Sequence, residues 1–112
     1  MNEILIIDQV VKFTDIKDVV GWHSDYIKGV ADLKNNRLSL GGDLHADGEQ
    51  LLISQIDTEN EFLWGFNLYP DQNIEFESLI NIKPRFGNKS IEIASSDIRE
   101  SVKKLILSLI LF

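Results

Sequence analysis

Phe62, Trp64, Phe66 and Leu68 alternate with Leu63, Gly65, Asn67 and Tyr69, and Pro70 stops the run. Alternation at period two marks a strand with two unlike faces, and proline has no N–H to give a ladder. After the break, Ile74, Phe76, Ser78, Ile80 and Ile82 alternate with Glu75, Glu77, Leu79 and Asn81. Joined as a hairpin with their apolar faces coincident, the two runs place Asn67 near Glu77 and Tyr69 near Glu75. Trp64, Phe66, Phe76 and Ile80 then belong to a core. Asn67, Tyr69, Glu75, Glu77 and Asn81 form the opposite, polar face, by default a solvated open sheet face, and a pocket if His45 and Arg85 converge on it. Trp64 shares parity with Phe62, Phe66 and Leu68, which reads as core rather than ligand stacking.

The rest of the chain supplies partners for this hairpin. Residues 3–7 (EILII) have strand length. Ile16, Val19 and Val20 share one helical face after Thr14, an N-cap candidate, and Gly21 ends that helix. Ile27, Ala31 and Leu33 alternate with polar positions as a strand. Lys34-Asn35-Asn36-Arg37 is a turn, and Leu38-Ser39-Leu40 returns as the second arm of a hairpin. Pro84 to Ser90 reads as a loop. Ser96 caps a final helix whose stripe is Ile98, Val102, Leu105, Ile106, Leu109 and Ile110, with Asp97 and Glu100 in its first turn. His23, after Trp22, reads as a surface or helix-end residue. The expected fold is α+β: one domain over 1–112, with an antiparallel sheet of four to six strands and the N-terminal short helix and C-terminal helix packed on one face.

Composition narrows the class. With 44% hydrophobic and 26% charged residues the chain has the balance of a globular protein, and without cysteine it has no disulfide or thiolate site. No apolar run is long enough to span a membrane, and Met1-Asn2-Glu3 carries no basic leader, so a cytoplasmic protein is expected. The net charge is −7, and no Lys or Arg occurs between Arg37 and Lys83, where nine acids fall, Asp43, Asp47, Glu75 and Glu77 among them. Such a segment repels phosphate backbones, which disfavours nucleic acid, and suits a basic protein or a cation. Keeping an exposed sheet soluble is its other explanation.

In GGDLHADGEQLLI (41–53), His45, Asp47 and Glu49 recur at every second position. A strand broken at Asp47-Gly48 would put all three on one side; a helix would pair His45 with Glu49, exclude Asp47, and stripe Leu44, Gly48, Leu51 and Leu52. The strand is the preferred reading. Imidazole with two carboxylates could bind a divalent metal or work as an acid–base site, and hydrogen bonding within a bulged strand is the structural alternative. Lys83, Arg85, Asn88, Lys89 and Ser90 surround a Gly-Asn turn that could hold a phosphate or carboxylate; equally, Asn88 could serve the local backbone while the charges pair with the acidic middle. No P-loop, G-x-G-x-x-G, G-x-S-x-G or H-E-x-x-H occurs.

GGDLHADGEQLL (41–52), LWGFNLYP (63–70) and SLINIKPRFGNKS (78–90) together resemble a family of small bacterial and archaeal proteins classed as a domain of unknown function. Its pattern reads G-G-x-L-H-A-D-x-E, L-W-G-x-N-x-Y-P and S-L-I-N-I-[RK]-P-x-x-G-N-[RK]-S. Gly48 stands where the pattern takes a small residue such as alanine. The resemblance implies no activity. It marks His45, Asp47, Glu49, Trp64, Asn67, Tyr69, Asn81, Pro84, Gly87, Asn88 and Ser90 as motif positions.

Two classes of function follow. The first is a non-catalytic binding module without a cofactor, antitoxin- or immunity-like, using the acidic face toward a basic protein or the apolar C-terminal helix toward its own copy. The second is a small metal-assisted hydrolase with His45, Asp47 and Glu49 as ligands or base and Arg85 or Lys89 as the anion-holding group. In the binding reading, Asn67, Tyr69, Asn81, Lys83, Arg85, Asn88, Lys89 and Ser90 are the candidate ligand-binding residues.

Overall fold

The structure, a computed structural model, describes residues 3–20, 26–69 and 71–112. In chain order it contains β1 (Ile4–Ile7), β2 (Val11–Lys12), α1 (Phe13–Ile16), β3 (Ile27–Asp32), β4 (Arg37–Gly41), α2 (His45–Gln55), β5 (Leu63–Leu68), β6 (Ile74–Glu75), α3 (Ser96–Leu109) and β7 (Ile110–Leu111). Short 3-10 turns cover Asn60–Phe62, Leu79–Asn81 and Pro84–Phe86. The expected α+β class holds. Five strands form one antiparallel sheet in the order β1-β4-β3-β5-β6, and β2 and β7 pair in parallel beside it. The readings of Gly21, Trp22, His23 and Pro70 lie outside the described residues.

The sheet is covered on both sides. Ile16 of α1 and Val102, Ile106 and Leu109 of α3 pack with Ala31, Leu38, Leu40, Trp64 and Phe66 in the main core. On the reverse face Leu52 of α2 packs with Val30 and Leu63. The first hairpin is as expected, with Asn36 in the left-handed region (φ 52) at its turn. Capping differs by two residues at α1 and by one at α3. Helix α1 starts at Phe13 after Lys12 instead of after Thr14, and Ser95, not Ser96, accepts the Ile98 N–H at 3.2 Å. The apolar end of α3 does not continue as helix; Ile110 leaves it to pair with Val11, and the Phe112 ring meets Phe13 at 5.4 Å.

Two corrections concern the segments nearest the motifs. Residues 45–55 form a helix, not a broken strand. Gly41 (φ +103) and Gly42 (φ +86) turn the chain out of β4 along a path that side chains resist, and the helix lies close on the sheet at Gly48. A Cβ there would stand 2.4 Å from Ser39 Oγ, so glycine, poor for helix propensity, is what allows the approach. Residues 74–82 are not one strand: β6 ends at Glu75, Phe76 packs on the main core and Ile80 on the reverse one. The pairing is Asn67↔Glu75 and Leu68↔Ile74, two residues from the expected register, a slip that preserves the faces.

Candidate functional site

Beyond Glu75 strand pairing is reduced to the isolated antiparallel bridges Glu77↔Glu92 and Lys83↔Asn88, and side-chain clips supplement it. Ser78 Oγ accepts the Ile80 N–H at 3.2 Å and starts a 3-10 turn. Ser78 crosses β5 where Gly65 leaves room, since a Cβ on Gly65 would lie 2.4 Å from that of Ser78. The buried Asn81 amide then takes the place of a strand residue at the edge of β5: Gly65 N–H donates to its Oδ1 at 2.7 Å, and its Nδ2 donates to Gly65 O at 3.0 Å and Ile91 O at 3.1 Å. Asn88 closes the next loop. Its Nδ2 donates to the carbonyls of Asn81, Ser90 and Glu92 at 2.8–3.0 Å, and its Oδ1 accepts Ala94 N–H at 2.9 Å. Gly87 takes the left-handed conformation (φ 87). The SLINIKPRFGNKS motif thus spends its asparagines on the fold.

Beside the Leu79–Asn81 turn, on the same reverse face of the sheet, helix α2 directs His45 and Glu49 inward, while Asp47, about 200° round the helix from His45, is exposed. The Nε2–H of His45 donates to Phe66 O at 2.9 Å, so the neutral ring keeps Nδ1 unprotonated. Burial pushes the imidazole below its ordinary 6.5, Lys28 adds to the effect, and Phe66 O and Asn67 oppose it. Glu49 and Lys83 are both buried and face each other without an ion pair. Burial raises the Glu49 carboxyl and lowers the Lys83 ammonium, and each offsets the other's shift by its charge. Lys83 Nζ donates to Ile80 O at 2.8 Å and lies 4.9 Å from the Trp64 ring centroid. This cation is therefore interior rather than part of a surface anion cradle. Arg85 is exposed beside Phe86, and Lys89 and Ser90 are exposed as well. Among the described residues no group of three His, Cys, Asp or Glu side chains gathers where a metal ion could be held.

His45 has a measurable consequence. Its native midpoint is depressed, so between that midpoint and pH 6.5 the unfolded chain binds more protons and stability falls with acid. Urea unfolding compared at about pH 7.5 and about pH 5.5 should show this loss, and His45→Gln should flatten it. Glu49 contributes with the opposite sign, because its raised native value favours the folded form as pH falls toward 4.5. An unchanged slope in His45→Gln would show that the ring does not control it.

Two hollows open near these groups. One, of about 310 Å3, is lined by Lys28, Leu44, His45, Ala46, Ser78, Leu79 and Ile80. Leu44 and Leu79 stand at it 58% and 78% exposed, within three residues of Asp43, Asp47 and Glu77 in sequence. Lys28 Nζ is engaged by the carbonyl of Asp43. The other, of about 370 Å3, is lined by Tyr69, Asp71, Asn73, Ile74 and Glu75. Glu75 Oε1 accepts Asn67 Nδ2 at 2.8 Å and the Tyr69 hydroxyl at 3.4 Å. The Tyr69 phenol is raised by desolvation first, then by the charge and hydrogen bond of Glu75 and by Tyr26 and Glu77. Lys28, Leu44, Leu79 and Tyr26 were not among the residues singled out from sequence. Lys28 becomes visible only with the β3–β5 register, which sets it opposite Asn67.

A family model described as "Protein of unknown function (DUF5674)" matches residues 5–109. No curated protein and no solved structure matches the chain. Among the described residues no helix is long and apolar enough to cross a membrane.

Proposed function

Starting from the chain's membership of the DUF5674 family, we propose that it is a binding module whose acidic side takes a basic, amphipathic segment of another protein. The observation that carries this reading is that largely exposed Leu44 and Leu79 meet at one hollow, in segments whose sequence also carries the acids Asp43, Asp47 and Glu77. Large apolar side chains held out of the core with acids close by in sequence suit a partner with apolar anchors and positive charge, and Lys28, the cation that lines the hollow, has its ammonium on the Asp43 carbonyl. The acids would speed encounter and set the salt dependence, while the leucines would hold the complex.

A Lys/Leu amphipathic peptide titrated into labelled protein should shift the amides of Leu44, Ala46, Leu79 and Ile80, more weakly as salt rises. Leu79→Glu should abolish those shifts without lowering the melting temperature, because this side chain contributes little to the core. Equal binding by a Gln/Leu peptide of the same pattern would defeat the electrostatic half of the reading, and shifts unaffected by Leu79→Glu would defeat the whole. The chain's own copy is the other occupant to test, since Leu107 and Leu111, near the C-terminus, also remain half-exposed. Sedimentation of Leu107→Glu against the parent distinguishes it.

A further inference from the structure

The acids of this chain are not served alike. Asp57 and Glu59 share Lys34, at 3.4 and 3.3 Å, and Asp32 holds Arg37. Glu75 instead receives only neutral donors, both on Oε1, and among the described residues its Oε2 has no hydrogen-bond partner. Its position is nevertheless fixed. Asn67, itself buried, pins Oε1 from below, and the Tyr69 backbone N–H is tied to Asn73 O at 2.9 Å. Asp71 spends both oxygens on Asn73, bonding its N–H at 3.0 Å and its Nδ2 at 2.8 Å, which holds the loop that walls the hollow. The Tyr69 ring is braced by Tyr26, with centroids 5.4 Å apart and planes at 40°. The result is an aromatic ring and a half-buried carboxylate, rigidly set at one cavity of about 370 Å3, with no cation among the described residues that line it.

We propose that this cavity is a subsite for an arginine side chain of the partner, with the guanidinium lying on the Tyr69 ring and donating to Glu75 Oε2. A guanidinium matches both elements at once, since its plane stacks on an aromatic face while its edge donates to a carboxylate. A lysine ammonium satisfies the charge but not the stacking. Preorganisation by Asn67 and Tyr26 means that little side-chain freedom is lost on binding. The proposal rests on the binding role above and specifies one residue type within it.

The test is an amide-shift titration of the full chain with N-acetyl-arginine amide, N-acetyl-lysine amide and N-acetyl-citrulline amide, the last an uncharged isostere. Arginine should shift Tyr69, Asn73, Ile74 and Glu75 with a Kd of about 1–10 mM, as befits a single side chain. Citrulline should bind at least about tenfold more weakly, and lysine should fall between them. Glu75→Gln keeps the acceptor for Asn67 and should weaken arginine about tenfold, while Tyr69→Leu should erase the preference for arginine over lysine. Citrulline binding as well as arginine, or shifts confined to other residues, would overturn the subsite. If arginine fails here while the Lys/Leu peptide still shifts Leu44 and Leu79, the subsite is wrong and the binding role stands. If arginine binds here and that peptide does not bind, the reverse holds.

Discussion

Asp32→Ala should lower stability by about 3–5 kcal/mol, a large fraction of what holds a domain of this size together. Asp32 is fully buried at the end of β3 and accepts five hydrogen bonds: from Lys34 N, Asn35 N, Asn35 Nδ2, Arg37 Nε and Thr58 Oγ1, at 2.9–3.2 Å. Arg37 is buried with it and donates Nη2 to Leu52 O at 2.7 Å, while its Nη1 has no partner. Alanine would leave that guanidinium in the interior with one carbonyl for company, and the hairpin turn, the loop at Thr58 and the end of α2 would all lose their common tie. The cost belongs to the broken pair rather than to the pair as such. Asp32→Ala combined with Arg37→Met should therefore recover a substantial part of the loss, because no unpaired charge remains buried. Urea unfolding of the two single variants and the double checks this; a double variant as damaged as the sum of its parts would refute it. The melting temperature of Asp32→Ala should drop by about 10–25 °C.

Asn81→Ala should cost about 2–4 kcal/mol. The amide satisfies three backbone groups, Gly65 N–H, Gly65 O and Ile91 O, and alanine leaves those in the interior without partners. A buried donor or acceptor stripped of its partner carries its full desolvation penalty. Asn81→Asp is the discriminating companion. It keeps the acceptor for Gly65 N–H but sets a carboxylate oxygen against the carbonyls of Gly65 and Ile91, so it should be at least as damaging as alanine. Hydrogen exchange at the Gly65 amide should accelerate in Asn81→Ala beyond the rise expected from global destabilisation. Exchange unchanged relative to the global value would show that β5 has another partner there.

Strands and outer helices were legible because their signals are periodic. The run from Leu63 to Leu68, the stripe of α3 and the Asn-Asn turn each follow from a spacing that only one element satisfies. The region from Gly41 to Gln55 hides its helix from sequence because Asp47-Gly48 imitates a turn, and the reason for glycine, Ser39 beneath it, is distant in sequence. The segment after Glu75 alternates like a strand as far as Ile82, yet Ser78 bonds the Ile80 N–H locally and starts a 3-10 turn while Asn81 gives its amide to Gly65 and Ile91, a competition that alternation does not register. Glu75 and Tyr69 were singled out and do meet, although by a register two residues away from the expected one. His45 and Glu49 were singled out for a spacing that the helix cancels. They share a face for the other reason weighed, their separation by four residues.

The Asn81 amide has a consequence for how this chain behaves in a crowd of its copies. β6 is only two residues long, so most of β5, a strand rich in aromatic and aliphatic side chains, would otherwise show a bare row of N–H and C=O groups to any passing chain. Such an edge is a template for runaway strand addition. One planar amide, the same shape and polarity as a peptide group, occupies the slot at Gly65 and cannot itself be extended. At Gly65 the edge of β5 is thus closed by a side chain that imitates the next strand, leaving no free donor or acceptor there for a second copy to extend.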